Sequence, residues 1–580
     1  MPRDLGQTAS EPAAQEAAHE AAAHEAAAHG TAPHVRAPRN TPRRRVTFRK
    51  RRLRVDDVNV VDRSMLRRAI SGTIVGNTME WYDVGVFGYL ITTMGPVFLP
   101  EADASVQTLF LLGTFAATFI ARPAGGVFFG WLGDKVGRQR VLAATLIMMA
   151  ASTFALGVLP GYDLIGVWAA VLLVLVKLVQ GFSTGGEYGG ATTFVSEYAA
   201  DRRRGFFASF LDMGSYLGFA AGAALVSVLQ MTLGSAAMGE YGWRIPFLAA
   251  GPLGAIAIYF RLRIEESPTF QAALEAQERS AHETAANDET ATKGPIGIVR
   301  SYWRPILVAM VVVAAANTVG YALTSYMPTY LTESKGYDEL HGTLLTIPVL
   351  VVMSLCIPLT GKLSDRIGRR PVLWIGAVST IVLSIPAFLL IGVGSVPATL
   401  AGLALVAFPV TFYVANLASA LPAQFPTASR YGAMGIAYNF AVAIFGGTTP
   451  FIVDALIKAT GDDMMPAYYL MGTSVVGAVA VFFLQESARR PLPGSMPSVE
   501  SPAEARDVVR HQDEDPLIDL AHMPLTEVPV AIAASGEAVQ LPLDHPAAVA
   551  AAEQEGVDLG ATALEAEATG EDPVASSTSA

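Results

Sequence analysis

The amino-acid sequence predicts an all-α membrane protein with 12 transmembrane helices in two pseudo-symmetric six-helix bundles. Only 16 % of the 580 residues are charged, against roughly 25 % in an average soluble domain, and the mean hydropathy is +0.40. Long apolar runs follow one another from about residue 69 to residue 486, and one short motif recurs six runs later. These three observations carry the prediction of the fold class.

Each apolar run is long enough to form a membrane-spanning helix. Such a helix needs ~20 mostly apolar residues to cross a hydrocarbon layer about 30 Å thick. The predicted spans are 69–93, 105–130, 140–160, 164–196, 205–233, 243–263, 302–331, 340–361, 371–392, 396–422, 430–458 and 465–486.

The recurring motif indicates that a six-helix unit is used twice. Gly130-Trp-Leu-Gly-Asp134-Lys-Val-Gly137-Arg138 follows the second span, and Gly361-Lys-Leu-Ser-Asp365-Arg-Ile-Gly368-Arg369 follows the eighth. Repeats of this kind are typical of secondary transporters. The Asp and the Arg four positions later can pair at a helix end, and the glycines permit a tight turn.

The charges of the connecting loops predict the orientation. Lys and Arg concentrate in the loops that follow even-numbered spans, at 135–140, 202–204 and 362–370, whereas the opposite loops are poor in them. Cytoplasmic loops carry the excess of Lys and Arg. We therefore expect a multi-pass protein of the inner (plasma) membrane with both termini in the cytoplasm.

Five regions follow from these patterns. They are an Ala/His/Arg-rich disordered N-terminal tail (1–62), an N-terminal six-helix bundle (63–264), a cytoplasmic loop between the bundles (265–300), a C-terminal six-helix bundle (301–490) and a disordered acidic tail (491–580). The last region has 17 acidic residues against two arginines and no apolar heptads, a composition typical of disorder.

Other functional classes lack support in the sequence. The net charge of −11 comes mainly from the acidic tail, so no nucleic-acid partner is expected. Cys356 is the only cysteine, which excludes an intrachain disulfide, and no metal site is predicted. Gly181-Phe-Ser183-Thr-Gly185 matches a nucleophile motif, but it lies in an apolar helical run and not at a strand–turn–helix elbow. We therefore predict no enzyme activity.

Several motifs resemble a known family of transporters. The paired loop motif resembles the signature of the major facilitator superfamily. Gly76–Asp83, Ile120–Gly126, Gln180–Tyr188, Gly242–Phe247 and Phe425–Tyr431 resemble the metabolite:proton symporter family within it. Lys177 and the segment Met464–Met471 are similar to members that carry proline and glycine betaine.

The resemblance implies a function. We expect proton symport of a small zwitterion, proline or glycine betaine, into the cell by alternating access. The expected role of this uptake is osmoprotection. The partners would be the solute, the proton and the lipid bilayer, and no cofactor beyond the coupling proton is expected. The alternative is symport of a mono- or dicarboxylate such as 2-oxoglutarate. A membrane sensor that signals through its tails is a third possibility.

Ionisable residues inside spans are costly, so they are candidates for function by default. A buried carboxylate near a movable cation can change protonation when the cation moves. We therefore predict that Glu80, Asp83, Arg122 and Lys177 couple transport to protons. A carboxylate of the substrate would bind Arg or Lys, and a methylated ammonium would lie against aromatic faces. The candidate substrate-binding residues are Asn77, Trp81, Tyr82, Arg122, Gln180, Asn317, Tyr321 and Tyr326.

Gating residues are expected near the cytoplasmic surface. The resemblance assigns the two loop motifs to a latch between the bundles, through Gly130, Asp134, Gly137, Arg138, Gly361, Asp365, Gly368 and Arg369. Glu187 and Asp212 are expected there too, in an ion pair that gates the cavity. The series Gly214, Gly218, Gly222 predicts close helix packing, with no chemistry implied.

Overall fold

A computed structural model of the chain describes residues 46–261 and 295–552, with short gaps at 137, 186, 526, 533–537, 542–544, 546–547 and 550. The chain forms two compact units. The larger runs from Arg51 to Leu525, and the smaller comprises the described residues before and after it.

The first half of the larger unit contains nine helices. They are α1 (Arg63–Tyr89), α2 (Ile91–Phe98), α3 (Ala104–Val136), α4 (Arg138–Val158), α5 (Tyr162–Ile165), α6 (Trp168–Thr184), α7 (Glu187–Tyr198), α8 (Arg204–Ala237) and α9 (Arg244–Arg261), among the described residues. A 3₁₀ turn at Asp201–Arg203 precedes α8, and a π-helical turn at Met238–Gly242 precedes α9. Helix α1 begins at Asp62, whose side chain caps it by accepting from the Ser64 N–H at 2.7 Å.

The second half repeats this plan. Its described helices are α10 (Pro295–Tyr321), α11 (Met327–Glu333), α12 (Glu339–Leu344), α13 (Thr346–Ile367), α14 (Arg369–Gly392), α15 (Val396–Ala420), α16 (Thr427–Ala441), α17 (Thr449–Thr460) and α18 (Met465–Phe483). A π-helical turn at Ala322–Tyr326 joins α10 to α11. Another, at Val442–Gly446, follows α16 and leads toward α17.

Each of the twelve predicted spans is helical where the structure describes it. Nine helical stretches of the described chain are long and apolar enough to cross a membrane, and Ala144–Val158 is a shorter apolar helix. The fourth span consists of two helices, α6 and α7, that meet near Gly185. The all-α membrane fold predicted from the sequence is therefore confirmed.

The glycine series of the fifth span packs α8 against α1. A Cβ at Gly218 would overlap the carbonyl oxygen of Thr78, and Gly214 and Gly222 lie against Ile74 and Tyr82 in the same way. A second close crossing, not predicted from the sequence, joins α3 and α6, because a Cβ at Gly181 would overlap a backbone carbonyl of α3. Close backbone approach through small residues stabilises helix pairs in lipid.

The larger unit continues beyond the last span. Strand β3 (Ser498–Val499) pairs in parallel with β2 (Asn59–Val60), and helix α19 (Pro502–Arg510) follows, capped by Ser501. 3₁₀ turns lie at Val55–Asp57, Pro422–Gln424 and Leu520–His522. Leu53, Met523 and Leu525 form a small apolar cluster beside them.

The smaller unit contains a three-stranded antiparallel sheet. Strand β1 (Val46–Lys50) pairs with β4 (Glu527–Ile532), Val46 opposite Ala531, and β4 pairs with β5 (Ala538–Gln540). The β-branched residues Val528, Val530 and Ile532 suit such a strand.

Parts of both tails for which disorder was predicted contain regular elements. Strands and helical turns occur among the described residues of 46–60 and 498–540. These elements are formed by contacts between segments far apart in the sequence, such as β1 with β4 and β2 with β3. Residues 1–45, 262–294 and 553–580, which include most of the predicted N-terminal tail and inter-bundle loop, lie outside the described residues.

Candidate functional site

A small cavity lies between the two halves of the larger unit. Its volume is about 30 Å³, room for only a few water molecules. Helices α1 and α8 supply one wall, and α10, the π-helical turn after it, α15 and α16 supply the other. The lining residues are Trp81, Asp212, Ser215, Tyr216, Phe219, Asn317, Gly320, Tyr321, Thr324, Val414, Leu417 and Tyr438.

Five of the twelve residues that line the cavity are aromatic. The Trp81 ring lies 5.9 Å from that of Tyr321 and 5.5 Å from that of Phe219. Tyr321 also packs edge-on against Phe119 at 5.1 Å. The π-helical turn at Ala322–Tyr326 begins directly after Tyr321, and such turns occur often at functional sites because they re-aim side chains.

A buried ion pair lies behind this wall. Arg122 Nη2 donates to Glu80 Oε1 at 3.1 Å, and the two side chains are 1 % and 0 % exposed. The Arg122 guanidinium lies 4.5 Å from the Phe119 ring and 5.6 Å from the Trp81 ring. Its Nε and Nη1 have no hydrogen-bond partner among the described residues. The structure thus joins two predicted coupling residues and leaves hydrogen-bonding capacity on the arginine.

The other two predicted coupling residues belong to a separate network. Asp83 Oδ2 accepts from the Thr153 hydroxyl and from the Gln180 amide. Lys177 Nζ donates to Gln180 Oε1 at 2.6 Å and lies 4.2 Å from the Phe87 ring. Lys177 therefore reaches Asp83 through Gln180, and the four predicted residues form two clusters.

The predicted substrate-binding residues divide into two groups. Trp81, Asn317 and Tyr321 line the cavity, and Asn77 supports it, since its amide oxygen accepts from Trp81 Nε1 at 3.2 Å. Tyr82, Gln180 and Tyr326 do not line it.

The hydrogen bonds of the second group explain its position. Tyr82 donates to the Pro246 carbonyl at 2.9 Å, and Tyr326 donates to Asp454 at 3.2 Å. Sequence position places a residue on a helix, whereas packing decides which neighbour it faces.

Asp212 differs most from its predicted position. It was expected in an ion pair near the cytoplasmic surface, but it is 5 % exposed and lines the cavity. Its partner is a hydroxyl and not a cation, because Tyr188 Oη donates to Oδ1 at 3.2 Å. The spacing of Asp212, Ser215 and Phe219, at i, i+3 and i+7, is the sequence signal that marks this face. Tyr188 and Tyr438, which sequence reasoning missed, stack beside it with ring centroids 3.9 Å apart.

One end of the larger unit, called here the basic end, is closed by the second loop motif. Asp365 accepts from the backbone N–H groups of Gly205 and Phe206, both at 2.8 Å, at the start of α8. It also pairs with Arg369 at 2.7 Å, as the i, i+4 spacing predicts. An anion at a helix N-terminus is stabilised by the helix dipole. The contact joins the two halves, because Asp365 and α8 belong to different ones.

Two glycines of the second motif take positions that a side chain would disturb. Gly361 lies against the Gly205 carbonyl and Ser209, and Gly368 has a φ of 107°. The side chains of the first motif, at Gly130, Asp134, Gly137 and Arg138, and that of Glu187 lie outside the described residues. Their predicted gating roles stay predictions.

A C-terminal strap (residues 486–504) crosses the basic end. Arg204, at the start of α8, donates to the Arg490 carbonyl at 3.0 Å, and Arg430, near the start of α16, donates to the Pro493 carbonyl at 2.8 Å. Arg430 also pairs with Glu197 at 2.7 Å. Arginines at equivalent positions of both halves thus hold the strap.

The opposite end is also closed by contacts between the halves. Thr93 donates to Glu339 at 3.1 Å, Thr108 donates to Glu333, and Lys458 Nζ donates to the Ser105 carbonyl at 3.3 Å. The cavity is therefore closed at both ends. No group of three or more His, Cys, Asp or Glu residues suited to a metal ion occurs in the described part of the chain.

Comparisons with known proteins agree with this architecture. The family of sugar (and other) transporters matches residues 69–494. The chain is 52 % identical over 480 residues to the ectoine/proline transporter ProP of Corynebacterium glutamicum, covering 82 % of this chain and 95 % of that protein. It is 43 % identical over 469 residues to the proline/betaine transporter of Escherichia coli K12, covering 80 % and 93 %.

A solved structure shows the same fold. The proton:xylose symporter XylE of the major facilitator superfamily superposes with a TM-score of 0.59 at 17 % identity, covering 74 % of this chain and 98 % of that one. From the family match, the identities to curated transporters and the closed cavity between two helical halves, we conclude that the chain is a multi-pass membrane protein that belongs to the sugar (and other) transporter family of the major facilitator superfamily.

Proposed function

We propose that the chain is a proton-coupled transporter that takes up a small zwitterion of the proline and glycine betaine class by alternating access. The observation that carries this proposal is the 52 % and 43 % identity, over nearly the whole length of the relatives, to proteins named as ectoine/proline and proline/betaine transporters. Both of these relatives are named for proline together with ectoine or betaine, so this substrate class is favoured over 2-oxoglutarate.

The chemistry of the cavity suits a zwitterion. Arg122 has two nitrogens with no hydrogen-bond partner among the described residues, next to the Trp81 ring that lines the cavity. A guanidinium binds a carboxylate through paired N–H donors. The rings of Trp81 and Tyr321 offer faces that attract an ammonium group. A solute with both charges would fill the cavity once the cavity widens.

The two buried clusters support proton coupling. Separation of Arg122 from Glu80 would leave a carboxylate in an apolar interior, where protonation removes the cost of the bare charge. A substrate carboxylate that binds Arg122 would compete with Glu80 for it, which ties substrate binding to proton binding. Asp83, linked to Lys177 through Gln180, provides a second carboxylate for the same purpose. The proton is the only coupling agent required, and no other cofactor is proposed.

Alternating access would use the closures at the two ends. The basic end carries Arg202, Arg203 and Arg204 and the Asp365 contact, and its excess of positive charge supports a cytoplasmic position in this proposal. Both tails then lie in the cytoplasm, in the plasma membrane of the cell. Release of solute into the cell requires the Asp365 contact and the strap to separate from at least one half.

Uptake into proteoliposomes tests the proposal. Labelled glycine betaine or proline should accumulate when the external pH is below the internal pH, and a protonophore should abolish accumulation. The double variant Glu80→Gln/Asp83→Asn should lose accumulation, whereas Glu101→Gln, which removes an exposed carboxylate, should retain it.

Several results would contradict the proposal. Accumulation that ignores the pH gradient, or that survives in the double variant, would refute the coupling mechanism. Uptake of 2-oxoglutarate without uptake of betaine or proline would favour the alternative substrate class.

A further inference from the structure

Asp212 is a buried acidic residue that lines the cavity and has an oxygen without a hydrogen-bond partner among the described residues. Its Oδ1 accepts from the Tyr188 hydroxyl at 3.2 Å, but Oδ2 has no hydrogen-bond partner among the described residues. The residue is 5 % exposed and lines the cavity. Buried polar groups in folded proteins are nearly always satisfied, and an exception calls for an explanation.

No ion pair joins Asp212 to a cation among the described residues. Within the part of the chain that the structure describes, neither Arg122 nor Lys177 forms an ion pair with it, and each has its partners elsewhere, in Glu80 and Gln180. The ionisable groups that face Asp212 are tyrosines from three elements: Tyr188 of α7, Tyr216 of α8 and Tyr438 of α16. A carboxyl group with an unused oxygen among tyrosine rings can receive an external cation, which would favour its ionised form.

Aromatic rings surround Asp212 and the cavity that it lines. Tyr188 and Tyr438 stack at 3.9 Å, and Tyr216 and Phe219 line the same cavity, with ring centroids 6.1 Å apart. Aromatic faces attract quaternary ammonium groups, and the attraction grows when water is excluded. A carboxylate among such faces adds a full opposite charge.

The positive pole of the site is Arg122, which lies next to the Trp81 ring. Arg122 lies 5.6 Å from that ring and has unpaired nitrogens, whereas Asp212 lies on the cavity wall with Trp81. A solute with a cationic and an anionic end would therefore have a single favoured orientation, with its ammonium toward Asp212 and its carboxylate toward Arg122.

We infer that Asp212, with Tyr188, Tyr216 and Tyr438, forms the subsite for the cationic nitrogen of the substrate, and that this subsite restricts the transporter to solutes with a substituted ammonium group. The inference rests on the proposed function, because it assigns a pole of the same substrate. It explains the unused oxygen of Asp212 without a further partner from the protein.

Two ligands of nearly the same shape isolate the contribution of the charge. Glycine betaine and 3,3-dimethylbutanoate differ only in the replacement of the quaternary nitrogen by carbon. Binding of both to the purified full-length chain would be measured by calorimetry. The wild type should prefer glycine betaine by at least about tenfold, since a desolvated cation is strongly attracted to an aromatic face. In Asp212→Asn the preference should fall to within about threefold, and Asp212→Glu should retain part of it.

Controls separate this subsite from other effects. Asp163→Asn, which removes an exposed carboxylate outside the cavity, should keep the wild-type preference. If Asp212→Asn does not yield monodisperse protein, Tyr438→Leu should reduce the preference, because it removes one ring from the same wall.

The outcomes distinguish the two proposals. An unchanged preference in Asp212→Asn, or in Tyr438→Leu where that variant replaces it, would overturn the subsite while the proposed function stands. If binding to Asp212→Asn no longer changes with pH while the preference for glycine betaine is unchanged, Asp212 would be assigned to proton transfer. This result would also overturn the subsite. If the wild type binds neither ligand, the proposed function fails and the subsite fails with it.

Discussion

The contact of Asp365 with the start of α8 should determine how firmly the basic end stays closed. Asp365 makes two kinds of interaction. The two hydrogen bonds from Gly205 and Phe206, at 2.8 Å, cross between the halves. The ion pair with Arg369 lies within one loop and can persist when the halves separate. Only the first kind favours the closed state over the open one.

The substitution Asp365→Asn weakens the contact between the halves by a calculable amount. Hydrogen bonds to a charged acceptor are worth ~1.5–3 kcal/mol, and bonds between neutral groups ~0.5–1.5 kcal/mol. The variant thus loses about 1 kcal/mol for each of two bonds, or about 2 kcal/mol in total. Since ~1.4 kcal/mol is a factor of ten in an equilibrium constant, the population open at the basic end should rise about 30-fold.

Labelling of a single cysteine measures this population. Ser196 is fully buried, and its hydroxyl donates to the Ala418 carbonyl of the other half at 2.7 Å. In a Cys356→Ser background, Ser196→Cys should react with a membrane-impermeant maleimide only when the basic end opens. Asp365→Asn should raise the labelling rate by roughly 10- to 100-fold.

A matched variant controls for the change of chemistry. Asp338→Asn alters an exposed aspartate that caps α12, where it accepts from the His341 N–H at 2.7 Å. That helix end lies within one half, so the labelling rate of the Asp338→Asn variant should match that of the parent protein. A rate in Asp365→Asn that stays within a factor of two of the parent would refute the assignment of this contact as a closure of the basic end.

Three further predictions concern the packing, the strap and the N-terminal turn. Gly218→Ala should destabilise the detergent-solubilised protein by about 1–3 kcal/mol in thermal unfolding, because its Cβ would overlap the backbone of α1. Gly239→Ala should leave the stability unchanged, because a Cβ at this position meets open space. Equal effects of the two substitutions would refute the packing argument. Glu486 accepts hydrogen bonds from the first two backbone N–H groups of α14, at 2.9 and 3.0 Å. Glu486→Gln weakens these bonds, so hydrogen exchange of the amides of residues 486–500 should accelerate about tenfold. An unchanged exchange rate would contradict this role of Glu486. Burial raises the pKa of Asp57, but the hydrogen bonds and charge of Arg51 outweigh this effect and hold the pKa below its usual value. The ionised carboxylate therefore stabilises the turn above about pH 4, and this contribution is lost as the pH falls through the lowered pKa. Protection of the amides of residues 52–58 from hydrogen exchange should be greater at pH 7 than at pH 3, and Asp57→Asn should remove this difference in protection.

The sequence marks the intramembrane charges through the cost of burying them, but it does not give the orientation of the helices that carry them. Glu80, Asp83, Arg122 and Lys177 were identifiable because a charge in a span needs a reason. Their division into two clusters was not, because it depends on the rotation of α3 and α6 against α1. Asp212 was misplaced for the same reason.

The strap shows a different limit of sequence reasoning. Residues 486–504 have no apolar pattern that predicts order. Their conformation depends on Arg204 and Arg430, which lie before the strap in the chain, on α8 and α16, and donate to backbone carbonyls of the strap. Every residue has a backbone carbonyl, so no pattern of residue types predicts which carbonyl accepts such a hydrogen bond.

The sequence alone determined the number of spans, the internal repeat and the identity of the intramembrane charges, because hydrophobic length and the cost of burying charge are properties of local composition. Only the tertiary structure decided which of those charges meet, that Asp212 faces the cavity, and that the region after residue 486 closes the basic end. These outcomes depend on how helices rotate and approach one another, and such packing is set jointly by residues far apart in the chain.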